Sequence, residues 1–422
     1  MLKRIIPVSL CLAVLACAGG DAAWQGTVTD SAGITIVRNP AQGTWSADQG
    51  WTVEETLRIG TAEGEPEYQF GQVPASPGVA AIATASGGEI VVLDQQAQHL
   101  KVFTSGGAYV RTIGGPGGGP GEIGLGSSAV IVAPGDTILV SDIGNQRANL
   151  YLLDGTFVRS FPISFTDGIP FRWESAPDQR IVAQLRRLAF PGSTAPPDTM
   201  DVLVERNLDG SVGDTLMRVP SGKTVSFSGG APEFKFFSPE PVWGMLGDRI
   251  LYAVSDQYRI GVYAPGGTLE RVVEKPFERE VVTGEDQDAV KDLLRRAWSD
   301  AGVPPQAVTQ LMSRVQFAEH YPAFAQMIAG FDGSIWIQHI QAPSKLPAEA
   351  REGFNPQYDL ASREWDVFDR DGRYLGIVAM PFRFQPVRFV GDRIYGVQRD
   401  ELDVQYVVVL KVMNGRGTAG DR

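Results

Sequence analysis

The order of apolar and polar positions repeats along the chain. Four stretches contain an apolar run, a loop with Asp, a second apolar run, a glycine turn and a third run, and they cover residues 89–114, 137–161, 248–273 and 334–378. Short apolar runs bounded by Gly and Asp favour β-strands over helices. The pattern therefore predicts repeated units of antiparallel strands.

The turns of these units carry Asp-Gly or Gly-Gly, which supply the positive φ angles of two-residue hairpin turns. A weaker fifth copy covers residues 180–210. The turn glycines at positions 107, 155, 210 and 267 follow one another at intervals of 48, 55 and 57 residues. Spacings of this size are typical of β-propeller blades with four strands each.

Two irregular regions complete the fold prediction. Residues 286–316 have apolar positions at helical spacing, interrupted by Gly302 and a Pro-Pro pair, which predicts a two-helix insert between blades. Residues 393–410 supply two strands without a following turn, and residues 51–60 have the pattern of the missing strand. We therefore predict an all-β, six-bladed β-propeller over residues 51–412, in which closure by the terminal strand removes exposed sheet edges.

The N-terminus has the pattern of an exported protein. Lys3 and Arg4 precede an apolar run at residues 5–16, which is shorter than the roughly 20 residues needed to span a membrane. Both cysteines, Cys11 and Cys17, lie in this region, so no disulfide is expected in the rest of the chain. Ordinary signal cleavage within Ala-Cys-Ala at residues 16–18 is one interpretation.

The other interpretation is a resemblance to bacterial lipoprotein signals. It implies that residues 1–16 are a signal peptide and that Cys17 is lipidated. Residues 17–50 are then the lipidated cysteine, a tether and an N-terminal edge segment. Independently of this resemblance, we expect residues 413–422 to be a disordered tail. Because Ala18 rather than Asp follows Cys17, the resemblance implies anchoring in the outer membrane if the host has two membranes. The lipid would be the only membrane attachment.

The repeated units resemble NHL-type repeats, in particular those of the six-bladed β-propeller lipoproteins of environmental bacteria. The resemblance covers residues 50–412. It rests on Arg58-Ile59-Gly60, on Arg111-Thr112-Ile113-Gly114, on the Gly-Pro-Gly-Glu linker at 119–122 and on residues 141–147. It implies a fold and a location but no particular activity, because propellers host many unrelated functions.

The loop between the second and third strands of each unit recurs with similar polar residues. Its candidate residues are Asp94, Asp142, Asn145, Arg147, Asp256 and Arg259. All copies should lie on one rim, either as hydrogen-bonding groups that face a ligand or as a repeated structural brace. The repetition favours the brace, because a binding site seldom needs the same group in every blade.

The innermost strands should line the central channel, and polar or aromatic residues interrupt their apolar pattern. The candidates are Arg172, Glu174, Glu240, Trp243 and Arg388. The interruptions differ from blade to blade, as expected of a dedicated site. Solvated ion pairs in a water-filled channel explain the same residues equally well.

Composition narrows the function. The chain has 37 Lys+Arg against 49 Asp+Glu, a net charge of −12, which argues against a nucleic-acid partner. With only His99, His320 and His339, a three-histidine zinc site is disfavoured, and no Gly-x-Ser-x-Gly motif is present. We assign no catalytic or metal-ligating residue and predict no cofactor; calcium is the ion that an enzymatic alternative would use.

The sequence favours a monomeric, lipid-anchored binding or interaction scaffold for a protein, a peptide or a glycan. The partner would be held on one rim or at the channel mouth. The two-helix insert could cap that mouth, with Phe317, His320 and Tyr321 nearest to it. The alternative is a metal-dependent enzyme of the lactonase or lyase kind, with its site in the central channel.

Overall fold

The computed structural model describes residues 23–46, 49–71, 78–165, 168–175, 180–186, 200–222, 225–228, 231–348, 351, 354–356 and 359–413. The predicted signal peptide, Cys17 and residues 414–422 of the predicted tail lie outside the described residues. Met413, the first residue of that predicted tail, instead ends a β-strand. Within the described residues, no helix combines the length and the apolar composition that crossing a membrane requires.

The structure contains six blades of four strands each, numbered here as blades I to VI. Five blades are separate four-stranded sheets, and two N-terminal strands extend blade IV to a six-stranded sheet. A further three-stranded sheet lies outside the blades. The chain begins with β1 (Thr27–Ser31), β2 (Ile34–Arg38) and β3 (Thr52–Ile59). Blade I contains β4 (Val79–Thr84), β5 (Ile90–Asp94), β6 (His99–Phe103) and β7 (Tyr109–Ile113). Blade II contains β8 (Ala129–Ala133), β9 (Thr137–Asp142), β10 (Arg147–Tyr151) and β11 (Phe157–Pro162). Blade III contains β12 (Ile169–Ser175), β13 (Ile181–Arg186), β14 (Met200–Arg206) and β15 (Val212–Pro220).

A hairpin of β16 (Val225–Ser228) and β17 (Ala231–Phe236) precedes blade IV. Blade IV contains β18 (Pro241–Leu246), β19 (Arg249–Val254), β20 (Arg259–Tyr263) and β21 (Leu269–Glu274). The insert follows, with α1 (Gly284–Asp300), α2 (Pro305–Met312) and β22 (Val315–Phe317). Blade V contains β23 (Gln326–Ala329), β24 (Ile335–Ile340), β25 (Ala361–Phe368) and β26 (Tyr374–Ala379). Blade VI contains β27 (Phe384–Val390), β28 (Arg393–Arg399) and β29 (Gln405–Met413), with β3 as its fourth strand.

The blades close into a ring. The innermost strands β4, β8, β12, β18, β23 and β27 contact one another in sequence, and β27 returns to β4. In blade VI, the N-terminal β3 pairs antiparallel with the C-terminal β29, with Leu57 opposite Val409. The predicted six-bladed β-propeller with terminal closure and a two-helix insert is therefore confirmed.

The core lies between the blades. Six apolar clusters each join two neighbouring blades, including blades VI and I. A strand inside a blade therefore buries both of its faces. In β5, for example, Ile90 and Val92 pack toward blade VI, whereas Val91 and Leu93 pack toward blade II. This two-sided burial explains why the repeats contain continuous apolar runs rather than strict alternation.

The hairpin turns differ from the predicted two-residue form. In blade II, Leu152 N donates to Thr156 O and Gly155 N donates to Leu152 O at 2.9 Å, and the register shifts between Leu150 and Tyr151. This is a longer turn that ends in a bulge, with glycine in the left-handed region at φ 95°. A Cβ atom at the equivalent Gly372 would lie 2.5 Å from Val273 of the neighbouring blade, so packing as well as φ requires glycine there.

The two edges of the ring differ. The turn rim carries the hairpin turns at Gly107, Gly155, Gly267 and Gly372, and the loop rim carries the Asp-containing loops and the linkers between blades. The insert is one such linker and therefore lies on the loop rim. The insert packs on the β16–β17 hairpin through a cluster around Phe237, and Asp286 accepts a hydrogen bond from Ser344 N at 2.8 Å.

The N-terminal segment runs along the outer edges of blades IV and V and then forms the outermost strand of blade VI. Strand β2 pairs parallel with β21, the outermost strand of blade IV. Asn39 then donates to Glu274 O and Gly372 O, and accepts from Tyr374 N at 2.7 Å, which ties blade IV to blade V. Trp45 N donates to Leu375 O of blade V before the chain enters blade VI as β3.

Candidate functional site

The centre of the propeller contains a cavity of about 980 Å³ that is lined by the innermost strands of all six blades. Innermost strands run from the loop rim toward the turn rim. The lining includes the turns that follow them, among them Asp248, Gly333 and Gly391, so the cavity lies toward the turn rim. Its size is within the range of sites for small molecules or chain ends.

Two bulges on opposite sides of the channel shape this cavity. The register shifts between Pro170 and Arg172 in blade III, and between Pro386 and Arg388 in blade VI, three blades away. A proline cannot donate to the ladder, and a bulge turns two consecutive side chains toward one face. Phe171 and Val387 are accordingly 47% and 40% exposed, and both line the cavity beside the arginine that follows.

The two arginines have different surroundings. Arg172 forms an ion pair with Glu174 on the same strand, and its guanidinium carbon lies 5.1 Å from the Trp243 ring centre. Among the described residues, Arg388 forms no ion pair, and its buried Nε has no hydrogen-bond partner. Burial lowers the pKa of Arg388, and the charge of Glu174 opposes this shift. The cavity therefore contains one paired and one unpaired guanidinium.

The structure places the five predicted channel residues differently. Arg172, Glu174 and Arg388 line the cavity, whereas Trp243 and Glu240 do not. Trp243 is buried between blades III and IV and donates its indole N–H to Gln184 Oε1 at 2.7 Å. Glu240 precedes β18 on the loop rim, where its backbone N–H bonds to Ser255 Oγ. Two of the predicted channel-lining residues, Glu240 and Trp243, therefore do not line this cavity.

A polar cluster that the sequence reasoning missed supports the wall behind Phe171. Asp201 is fully buried and accepts hydrogen bonds from Arg186, Gln184 and Ser221. The Arg186 guanidinium carbon lies 4.4 Å from the centre of the Phe171 ring. This cation–π contact fixes the aromatic side chain that faces the cavity.

The loop-rim candidates of blade II point inward. Asp142 is fully buried and accepts hydrogen bonds from Gly124 N and Arg147 Nε. Arg147 also donates to the carbonyls of residues 118, 119 and 122, and Asn145 donates to Gly117 O and Asp142. These donors are used within the linker from blade I, so the geometry is that of a structural brace.

The remaining loop-rim candidates do not converge with those of blade II. Asp94 is buried and accepts from Gly71 N and Ala97 N, which braces its own linker and loop. Arg259 pairs with Glu274 at the outer edge of blade IV, and Asp256 accepts a hydrogen bond from Arg279 through its backbone oxygen. The structure does not bring these residues together into one site.

The residues expected nearest to the cap lie on the opposite rim from this cavity. Phe317, His320 and Tyr321 lie with the insert on the loop rim, and none of them lines the cavity. Tyr321 is 3% exposed and packs on Phe237, with ring centres 4.7 Å apart. Burial, then the nearby Asp286 carboxylate, raises the pKa of Tyr321 far above its usual range. The insert therefore covers the loop rim and leaves the turn-rim end of the cavity uncovered by these residues.

A second cluster missed from the sequence lies between blades IV and V. Asp366 is fully buried and accepts hydrogen bonds from the Tyr258 and Tyr374 hydroxyls and from Lys275 Nζ, at 2.5, 2.7 and 2.6 Å. His339 Nε2 lies 3.1 Å from the same carboxylate. Burial by itself would raise the pKa of Asp366, but the contacts with His339 and Lys275 outweigh it and hold the pKa far below its usual range. This cluster joins two blades and does not border the cavity.

No three His, Cys, Asp or Glu side chains among the described residues are grouped closely enough to hold a metal ion. His99 lies at the start of β6, where burial lowers its pKa, and His320 forms an isolated bridge with Val281. His339 belongs to the Asp366 cluster. The three histidines thus occupy three separate places in the fold.

No family model matches the chain, and no curated protein matches it in sequence. Solved structures do match. A protein of Bacteroides fragilis described as exported has 12% identity and a TM-score of 0.52 over 90% of this chain and 100% of that chain. A virginiamycin B lyase of Staphylococcus aureus has 10% identity and a TM-score of 0.42 over 86% and 100%. A gluconolactonase of Xanthomonas campestris has 10% identity and a TM-score of 0.40 over 85% and 99%. We conclude from the first of these only that the propeller fold is shared.

Proposed function

We propose that this chain is a binding protein that takes part of a partner molecule into the turn-rim end of its central channel. The observation that carries this proposal is the cavity of about 980 Å³ with large apolar side chains exposed inside it. Phe171, Val387 and Val390 line the cavity and are 47%, 40% and 39% exposed. Concave apolar surface with a few charged groups is the usual form of a ligand site.

The chemistry of the wall favours a peptide or protein end over a glycan. Most lining positions are apolar or glycine, and Ser128, Thr84 and Ser175 are the hydroxyl side chains among them. A sugar presents hydroxyl groups all around its ring, and each one needs a partner when it leaves water. An apolar side chain at the end of a peptide instead gains from burial against Phe171 and Val387.

We also propose that the protein is exported and lipid-anchored through Cys17. This part rests on the sequence pattern of residues 1–19, which lie outside the described residues. The lipid and the channel would serve different purposes, attachment and recognition.

Filling the channel tests the binding proposal. Val387→Trp adds bulk to a side chain that already faces the cavity, and we expect it to weaken ligand binding at least about tenfold, a loss of about 1.4 kcal/mol. Val212→Trp is the matched control, because Val212 is 44% exposed on the outermost strand of blade III. Native mass spectrometry with a defined library of N-acetylated tripeptides measures binding. Peptides that bind both variants equally, or no binding to the wild type, would contradict the proposal.

The enzymatic alternative has its own test. A lactonase- or lyase-like site would need a metal held in the channel, where Glu174 is a carboxylate of the lining. Elemental analysis of protein purified without chelator measures the metal content. We expect no stoichiometric calcium or zinc, and one tightly held ion per chain that Glu174→Gln releases would favour the enzyme.

A further inference from the structure

The two Pro-apolar-Arg bulges place one guanidinium on each side of the channel, at Arg172 and Arg388. Glu174 is the carboxylate that an innermost strand contributes to the lining. The other charged lining residues, Asp248 and Arg249, lie at the mouth and pair with each other at 2.8 Å. The interior therefore has two positive charges and one negative charge among its described side chains.

Glu174 is already engaged by Arg172 in an ion pair. Arg388 is half-buried, and its Nε is buried without a hydrogen-bond partner among the described residues. A charged group that is partly withdrawn from water without a counter-charge is costly, because the groups that solvated it in water are not fully replaced. An anion placed in the cavity beside Arg388 would balance this charge.

We infer that Arg388 is the anion-binding residue of the channel and that its ligand carries a carboxylate on an apolar body. This inference rests on the proposed function, since it names the chemistry of the same site. A carboxylate accepts two parallel hydrogen bonds from a guanidinium, which suits the fork geometry of arginine. The apolar body lies against Val387 and, across the channel, Phe171.

Glu174 sets how strongly the site attracts anions. Its negative charge acts on Arg388 from the opposite blade and also neutralises Arg172. Replacing Glu174 with glutamine removes that charge and frees a second guanidinium in the cavity. The variant therefore binds carboxylates more tightly than the wild type.

Isothermal titration calorimetry with two matched pairs of probes tests the inference. The first pair is N-acetyl-Ala-Phe with a free carboxylate and its C-terminal amide; the second is 4-phenylbutyrate and 4-phenylbutyramide. Each acid that binds should bind the wild type at least about tenfold more tightly than its amide. Preference for the peptide acid identifies a peptide end as the source of the carboxylate, and preference for phenylbutyrate identifies a free acid.

Arg388→Gln should abolish the preference for the acid, while Arg218→Gln should retain it. Arg218 is exposed on the outermost strand of blade III, so its replacement makes the same change in net charge away from the cavity. Glu174→Gln leaves Arg388 in place and provides a second test if Arg388→Gln does not fold. If the wild type binds the acid and the amide equally, and Val387→Trp binds neither, the inference is overturned but the proposed function stands. If no probe binds the wild type more tightly than it binds Val387→Trp, the proposed function itself is overturned.

Discussion

Replacing Asp366 with asparagine is expected to lower the free energy of unfolding by about 3–5 kcal/mol. The Asp366 side chain has no exposure, and that of its ion-pair partner Lys275 is 12% exposed. The substitution leaves a mostly buried ammonium without its counter-charge, and it replaces the shared acceptor of two tyrosine hydroxyls with a weaker one. Because the cluster joins blades IV and V, the loss acts on the seam between them. The denaturant midpoint in urea measures the effect.

Asp392→Asn is the matched control. Asp392 and Lys411 lie 3.8 Å apart, and their side chains are 49% and 45% exposed. A pair of this kind contributes at most about 1 kcal/mol. Similar losses in the two variants would contradict the structural role assigned to Asp366.

The loss of stability in Asp366→Asn should depend on pH. The pKa of Asp366 is lower in the folded protein than in the unfolded chain, so its carboxylate stabilises the fold at every pH above the ordinary value of about 4. As the pH falls below that value and toward the native pKa, this contribution is lost. The difference in stability between the wild type and Asp366→Asn should therefore be full at neutral pH and narrow in acid. A difference that grows as the pH falls would contradict the assignment.

Removing the closing strand is expected to abolish cooperative unfolding. A chain that starts at residue 61 lacks β3 and leaves β29 as an edge strand, with Val407 and Leu410 newly exposed from near-complete burial. An unpaired apolar edge recruits other chains, so we expect aggregates instead of monomer. Size-exclusion chromatography and thermal unfolding measure the change.

Two controls separate β3 from the rest of the N-terminal segment. A chain that starts at residue 43 retains β3 but lacks β1, β2 and Asn39, and we expect it to stay monomeric with a lower unfolding midpoint. A synthetic peptide of residues 50–60, added to the shorter chain during refolding, should restore the monomer, and a scrambled peptide should not. A monomeric, cooperatively unfolding chain that starts at residue 61 would show that closure does not depend on β3.

The fold was predictable because each blade repeats the same local requirements. Turn glycines such as Gly155 and Gly372 need a positive φ or close packing, and these needs recur at a near-constant period. Runs such as Ile90–Asp94 are buried on both faces. Two-sided burial requires consecutive apolar residues, and this continuous run is visible in the sequence. Closure was predictable because β3 completes a unit whose first strands lie at the other end of the chain.

Other features depend on contacts between distant segments, for which a single sequence contains no local pattern. The pairing of β2 with β21 joins residues 35–38 to residues 271–274, and nothing in either segment indicates the other. The Asp366 cluster combines residues from two blades. The sequence nevertheless contains one indication of it, in the position of Asp366 within the repeat. Asp366 occupies the third-strand position, two before the repeated aromatic residue Phe368, where Lys101 and Asn149 stand in blades I and II. Both of these bond to a linker, so a polar residue there marks a contact outside its own strand.

For the candidate site, the sequence indicated three of the lining residues but not the bulges that turn them inward. Pro170-Phe171-Arg172 and Pro386-Val387-Arg388 repeat the same residue pattern, yet the register shift depends on the facing strand as well. The sequence predicts Trp243 in the channel because this residue lies on an innermost strand. That strand has no register shift, so its alternate side chains, including Trp243, point between the blades.

The N-terminal segment also determines how the ring responds to mechanical load. A pull on the chain before residue 27 first reaches β1 and β2 on the edge of blade IV, then Asn39 and Trp45 at blade V, and only afterwards β3. Strands β2 and β21 are parallel neighbours, so a force along β2 shears their row of hydrogen bonds instead of opening it one bond at a time. The hairpin thus absorbs tension at the periphery of the propeller, and the strand that closes the ring is loaded last.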